Sequence, residues 1–353
     1  MRICVVAASG HPVAEPFAGG LESFTHTLVR GLARRGHDVT LFAPAGTDPD
    51  LPATLRTPPE FAPSNVSLAD RNAPPLRWMQ EHHAYLSLML DLSQDRGIDI
   101  VHDTSLHHLP VAMAPLLPVP TVTTLHTPPL PWIESAVALA PQCAHFAAVS
   151  RATARAWSHL VRAQVVPNGV DLARWTPGPG GEHAVWAGRI VPEKAPHLAI
   201  RACAEAGVRL LLAGPIHDRA YFAREVEPAL GPAADYVGHL DDTGLRELVQ
   251  HAGVLVTTPD WEEPYGLVAA EAMACGTPVA ALARGALPEV VGRAGGVVVP
   301  AGDPQALGAA VRQCLQLDRA AVRAHAEARC CADRMVARYE RLYASLISAG
   351  RAA

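Results

Sequence analysis

Two glutamates, Glu263 and Glu271, stand eight positions apart in the run Trp261-Glu262-Glu263-Pro264-Tyr265-Gly266-Leu267-Val268-Ala269-Ala270-Glu271. Pro264 is placed to start a helix. The backbone N–H groups near Tyr265–Val268 would then lack helical partners and face a ligand's oxygens, with the positive end of the helix dipole behind them. If the intervening chain is helical, the two carboxylates are separated by a rise of roughly 12 Å. That spacing suits one elongated polyhydroxyl ligand, each carboxylate accepting from a vicinal diol, better than it suits an acid/base dyad. The plain alternative is a Glu263 that complements the helix dipole and a Glu271 in solvent. The flanking Ala270 and Ala272 weigh against its second half, because a carboxylate in an apolar helix needs a partner.

Other side chains offer chemistry at lower specificity. Lys194 is the single lysine among 29 basic residues. Its persistence in an arginine-rich chain points to a need for lysine, although one residue also survives by chance. His126 closes the expected strand Thr121–Leu125, at the end where doubly wound sheets place ligands. Trp132 ends a proline-rich loop from Thr127 and is equally suited to stacking on a ligand or to packing. His102, His107 and His108 with Asp103 match no metal-ligand spacing, and 17 histidines make chance clusters common. No metal and no cofactor are expected. His102 and Asp103 end a strand on the same side as His126, so an acceptor-side role is open to them.

Two stretches share the layout that would position these groups. Ile3–Ala8 reads as a strand, followed by a loop with Gly10, Gly19 and Gly20. Leu21–Arg35 reads as a helix with Leu21, Phe24, Leu28 and Leu32 on one face, Gly36 stops it, and Asp38–Ala43 is the next strand. The pattern returns as His183–Gly188, a loop Arg189–Lys194, a helix Ala195–Ala206, a stop at Gly207 and a strand Val208–Ala213. Parallel strands need such crossover helices, so the expected class is α/β with two doubly wound, Rossmann-like sheets. Ile98–His102, Thr121–Leu125, Phe146–Val149 and Gln164–Val166 extend the first. Tyr236–Val237, Val254–Thr257, Pro278–Ala281 and Gly296–Val299 extend the second. Residues 44–75, rich in Pro, Asp, Thr and Asn, read as a surface excursion. Thr176-Pro-Gly-Pro-Gly-Gly181 is the strongest linker signal, which makes Val170–Glu182 the expected boundary and a hinge candidate. Domains of 1–172 and 173–353 follow, with a terminal helix at about 334–347 that is a candidate for packing back on the first domain.

Composition excludes several classes. Of 353 residues, 49% are apolar and 18% charged, enough for a large core. The net charge of −5, without a basic run, argues against a nucleic-acid binder or a polybasic membrane anchor. The longest apolar stretch, Leu109–Val122, carries Pro110, Pro115, Pro118 and Pro120 and cannot span a membrane as a helix. Arg2 and the apolar residues after it read as a first strand rather than a leader. Seven cysteines without a C-x-x-C pair point to a reducing, cytoplasmic setting.

The Glu263–Glu271 block resembles the E-x7-E signature of retaining GT-B glycosyltransferases, most closely glycosyltransferase family 4. Gly19-Gly20-Leu21-Glu22, Val149–Thr153, Val166–Asp171 and Gly188–Lys194 match further segments of that family in order, so the resemblance runs from residue 1 to about residue 345. It implies a GT-B fold, two Rossmann-like domains facing a cleft. It implies transfer of a hexose-type sugar from a nucleotide diphosphate sugar to an acceptor hydroxyl, with retention and without metal. UDP is the first expectation for the nucleotide and GDP the second. Glu263 then takes the donor sugar hydroxyls, with backbone N–H groups of Tyr265, Gly266 and Leu267 beside Val268. Glu271 takes the ribose, and Arg189 and Lys194 take the diphosphate. Gly19 and Gly20 bring backbone close to the phosphates or the reacting sugar. His126 contacts the sugar or the reacting centre, and His239 and Leu240 meet the base. His102, Asp103 and Trp132 are the acceptor-side candidates. The acceptor itself is not legible, although the scarcity of basic residues in Leu76–Leu92 favours a soluble one, and a homo-oligomer stays open. A sugar-nucleotide epimerase and a non-catalytic nucleotide-sugar binder remain as rivals. A nicotinamide enzyme is weaker, because no G-x-G-x-x-G follows either first strand.

Overall fold

Short apolar runs, buried on both faces, form parallel strands wherever a helix carries the chain back between them. In the computed structural model, which describes residues 1–139 and 144–352, these runs build two all-parallel sheets. The first contains β1 (Arg2–Val6), β2 (Asp38–Phe42), β3 (Thr54–Arg56), β4 (Ile100–Asp103), β5 (Thr121–Leu125), β6 (His145–Ala148) and β7 (Gln164–Val165). The second contains β8 (Ala184–Ala187), β9 (Leu210–Ala213), β10 (Ala234–Tyr236), β11 (Val254–Thr257), β12 (Val279–Leu282) and β13 (Gly296–Val299).

The spatial orders are β3-β2-β1-β4-β5-β6-β7 and β10-β9-β8-β11-β12-β13. In each sheet the chain winds outward on one side of the first strand and resumes on the other. The reversal lies between β1 and β4 in the first sheet and between β8 and β11 in the second. Loops leaving the carboxyl ends of such neighbouring strands diverge and open a crevice, where ligands bind in doubly wound sheets. Each fold thus presents one such crevice at a place fixed by topology.

Two compact units result. One holds Met1–Val149, Thr153–Val166 and the chain from Val336 onward; the other holds Ser150–Ala152 and Pro167–Met335. In the first, the helix Leu76–Gln94 lays Ala84, Tyr85, Leu88, Met89 and Leu92 against Val6 and Val101. In the second, the helices Pro196–Ala206 and Pro304–Cys314 cover Leu210, Leu212, Val254 and Val256. The division at Val166/Pro167 precedes the expected boundary by several residues.

The glycine-rich run that carries the linker signal is fitted closely against the second unit. Gly178 N–H donates to Cys275 O and Gly180 N–H to Gln250 O. A Cβ at Gly178 would lie 2.4 Å from Gln250 O, and one at Gly181 would lie 2.2 Å from His251 O. These glycines permit close backbone approach. Residues 44–75 also hold more order than their composition indicates. Thr54–Arg56 adds an edge strand, and Ser64 caps the single turn Asn65–Leu68.

The terminal helix, Ala332–Ala352, is tied to the first sheet by polar contacts. Tyr339 Oη lies 3.0 Å from Thr124 Oγ1, and Tyr343 Oη lies 2.6 Å from His102 Nδ1. Glu340 pairs with Arg35 at 3.1 Å and with His37 at 3.0 Å. Among the described residues no cysteine is disulfide-bonded, while Cys143 lies outside them. No described helix is long and apolar enough to cross a membrane.

Candidate active site

The crevice of the second sheet is flanked by the loop after β8, residues 188–195, and the loop after β11, residues 258–266. Backbone and buried side chains bolt the two loops together. Asp260 N–H donates to Glu193 O at 2.8 Å. The fully buried Thr258 hydroxyl lies 3.1 Å from Lys194 O and 2.9 Å from Ala195 O. Ala195 adopts a left-handed conformation, φ 43°, which costs free energy for a residue with a Cβ and persists because its surroundings hold it. That strained residue ends the turn Pro192–Lys194 and fixes where the lysine leaves the backbone.

Lys194 Nζ stands 2.6 Å from Glu263 Oε2 and 5.2 Å from the centre of the Trp261 ring. Trp261 Nε1–H donates to the same carboxylate oxygen at 3.0 Å. An ammonium, a carboxylate and an indole therefore share one half-buried spot. Arg189, in the loop after β8, is exposed, and no described acidic residue pairs with it. Its charge is available to an anion. His239, beyond β10, is also exposed, with Leu240 beside it half-buried.

Pro264 does not start the helix. The helix runs Leu267–Ala274, and Gly266, at φ 89°, is its cap. Residues 263–266 therefore form an irregular turn, and the helical rise expected between Glu263 and Glu271 does not apply. Leu267 and Val268 occupy the first helical positions, where backbone N–H groups have no intrahelical acceptor. Tyr265 has a buried side chain whose hydroxyl donates to Asn168 O at 2.5 Å, so any ligand contact from it comes through its backbone. Glu271 sits one turn in, among Ala269, Ala270, Ala272 and Met273. Burial, then the nearby Asp242 charge, pushes its carboxyl up to about 8, with Arg174 opposing. Asp242 itself is held by Arg174 at 2.5 Å and Arg246 at 3.3 Å.

Gly285, on a neighbouring loop, carries no sequence signal, yet it determines where Glu263 sits. Its φ is 55°, and a Cβ on it would fall 2.1 Å from Glu263 O. Ala286 N–H donates to that same oxygen at 2.8 Å. Gly285→Ala is expected to destabilise the protein by about 1–3 kcal/mol through overpacking and left-handed strain, read from the urea midpoint.

In the first unit, Gly19 is the extended cap and Gly20 the first residue of the helix Gly20–Arg34. Phe24 of that helix packs edge-on to His126, ring centres 4.5 Å apart. Burial lowers His126 to about 3, and its Nε2 is buried with no hydrogen-bond partner among the described residues. Trp132 is 50% exposed and anchored by its Nε1–H to Leu106 O at 3.0 Å.

His102 and Asp103 take a different place from the acceptor-side one expected. His102 is fully buried, with Nε2 against Thr124 Oγ1 at 2.7 Å and Nδ1 against Tyr343. It ties the terminal helix to the sheet. Asp103 accepts from Ser105 N–H and Oγ–H and from Thr123 Oγ–H, holding the loop after β4. Both point into protein because the inner strand β4 is covered on both faces.

Two Rossmann-like parallel sheets, one carrying a cationic and carboxylate-lined crevice, define a GT-B architecture. The family model of Glycosyltransferase Family 4 matches residues 18–174, and that of Glycosyl transferases group 1 matches residues 176–329. A glycogen synthase of Mycobacterium tuberculosis is 30% identical, the match covering 92% of this chain and 88% of the relative. A D-inositol 3-phosphate glycosyltransferase of Mycobacterium sp. strain KMS is 30% identical over 82% of this chain and 76% of its own. Anabaena Alr3699/HepE, solved with UDP and glucose, superposes with a TM-score of 0.76 at 20% identity over 98% of this chain and 100% of that one. The chain belongs to the GT-B glycosyltransferases of family 4. It is an enzyme of sugar transfer from a nucleotide sugar to an acceptor.

Proposed function

We propose that the protein is a retaining transferase that uses a UDP-sugar and needs no metal on the donor diphosphate. The Lys194–Glu263–Trp261 cluster at the reversal of the second sheet carries this reading. In that reading Lys194 leaves Glu263 for the diphosphate when donor binds. Glu263 is then free to accept from the sugar hydroxyls, with the N–H groups of Gly266, Leu267 and Val268 beside it. Arg189 supplies the second cation, and Glu271 accepts from the ribose. Fixed positive charge stabilises the leaving diphosphate as the bond from anomeric carbon to phosphate oxygen breaks. The acceptor oxygen forms its bond on the same face, and its proton passes to the departing phosphate. His126, with its unpartnered Nε2, contacts the sugar or the acceptor, while His239 and Leu240 meet the base. UDP is favoured because the solved relative Alr3699/HepE binds UDP.

Thermal melting against UDP-, GDP-, ADP- and dTDP-sugars tests the donor assignment. Saturable binding adds about 2.7 kcal/mol at a hundredfold excess over Kd. UDP-sugars are expected to raise Tm most, and Arg189→Ala to lose most of the rise while its ligand-free Tm stays put. An unshifted Tm with every donor, or equal shifts in the variant, would sink the assignment.

A further inference from the structure

The crevice of the first sheet holds a second cluster that the reaction does not use. Tyr85, on the helix Leu76–Gln94, accepts from Ser9 N–H at 2.8 Å and donates to Ala7 O at 3.0 Å, fastening that helix beside the loop after β1. One turn earlier on the same helix is His82. It comes up against His107 and His108, which leave β4 through the loop that Asp103 and Ser105 shape. One ring nitrogen from each of the three histidines lies within 4.8 Å of the others. Three imidazoles around a tetrahedral zinc ion have nitrogens about 3.4 Å apart, so modest ring rotations close the set.

The geometry points to a transition-metal site formed by His82, His107 and His108. Three features besides proximity support it. His82 Nδ1 is buried and has no hydrogen-bond partner among the described residues, a cost that a bound cation removes. No acidic side chain among the described residues pairs with any of the three rings. The flanking rings also restrict them, since Trp78 stacks on His82 with centroids 5.1 Å apart and Tyr85 stacks on His107 at 4.4 Å. A three-histidine set leaves a fourth position for water or a ligand oxygen. Imidazole nitrogens select zinc, copper, nickel or cobalt over magnesium or calcium.

Binding has a defined chemical cost. His107 Nδ1 accepts from Leu109 N–H at 3.2 Å, which puts the ring proton on Nε2. Ligation through Nδ1 displaces that hydrogen bond directly. Ligation through Nε2 moves the proton to Nδ1 and breaks the same bond. The helix His108–Met113 loses one long cap contact, and the ion gains a tie between that helix and Leu76–Gln94.

Tag-free, chelator-stripped protein titrated with Co(II) and then Zn(II) tests the site. The expected result is one ion per chain, tetrahedral cobalt absorption, and a Tm that rises with zinc. His82→Ala and His108→Ala should each weaken binding at least about tenfold. His83→Ala, one position along and stacked on Phe61, should bind as wild type does. Should one variant fold poorly, the other still decides. Wild-type affinity in both variants, or a wild type that binds no more tightly than His82→Ala, would overturn the proposal. Donor binding in the Arg189→Ala experiment does not depend on either outcome.

Discussion

Lys194→Ala is expected to lower kcat for sugar transfer by about 10²–10³ while the fold survives. The ammonium is the one lysine of the chain. The left-handed Ala195 and the Thr258 hydroxyl fix the backbone from which it projects. Its side chain is 25% exposed and that of Glu263 13%, so the pair is partly buried and losing the ammonium lowers the urea midpoint without unfolding the protein. Glu263 retains the Trp261 N–H. The leaving diphosphate, by contrast, loses a charge that nothing else on that loop except Arg189 supplies. Lys194→Arg should recover only part of the rate, because a planar guanidinium fork does not fit where a compact ammonium sits beside an indole. Initial rates at saturating donor, with the urea midpoint as control, decide it. A kcat within about threefold of wild type would remove Lys194 from the diphosphate.

Much of this arrangement was legible because parallel strands advertise themselves. Val254–Thr257 and Gly296–Val299 are apolar on both faces, end at turn residues and match the observed strands. The loops that carry Arg189, Lys194 and Glu263 follow once strand order is known. Residues whose role depends on a partner distant in sequence were not legible. Thr258 and Gly285 shape the crevice through contacts with Lys194, Ala195 and Glu263. His82 meets His107 and His108 through a helix that Tyr85 fastens to the loop after β1 and that Leu88, Met89 and Leu92 pack on the sheet. The failures have the same origin. Gly178 and Gly181 read only as a linker signal because a sequence does not show the backbone packed against them. His102 read as an acceptor-side candidate because its partner, Tyr343, lies 241 residues away. Edge strand Thr54–Arg56 has no apolar run to mark it.

Glu271→Gln is expected to change stability and donor affinity in opposite directions. In the folded protein the carboxyl is pushed up to about 8 from an ordinary 4.5, by burial first and Asp242 second. Between those values the folded state holds a proton that the unfolded chain has released, so stability falls as pH rises through that window. Below it both states are protonated and the wild type suffers no penalty; above it the penalty is complete. Glutamine does not titrate, so its advantage should be small near pH 4.5, grow toward pH 8 and then level off. Because Glu271 keeps some contact with water, the expected gain at the plateau is about 1–2 kcal/mol, read from urea midpoints across the series. Above about pH 8, where the carboxylate is ionised, the same substitution replaces a charged acceptor for the ribose diol with a neutral amide. Hydrogen bonds to charged groups are worth about 1.5–3 kcal/mol, so nucleotide affinity should fall about tenfold to a hundredfold. A glutamate that merely faced solvent would show neither effect. A stability difference that does not vary with pH would refute the buried carboxyl, and unchanged nucleotide affinity would refute its role at the ribose. Both effects together would mark Glu271 as a residue held at a cost in folding stability for what it binds.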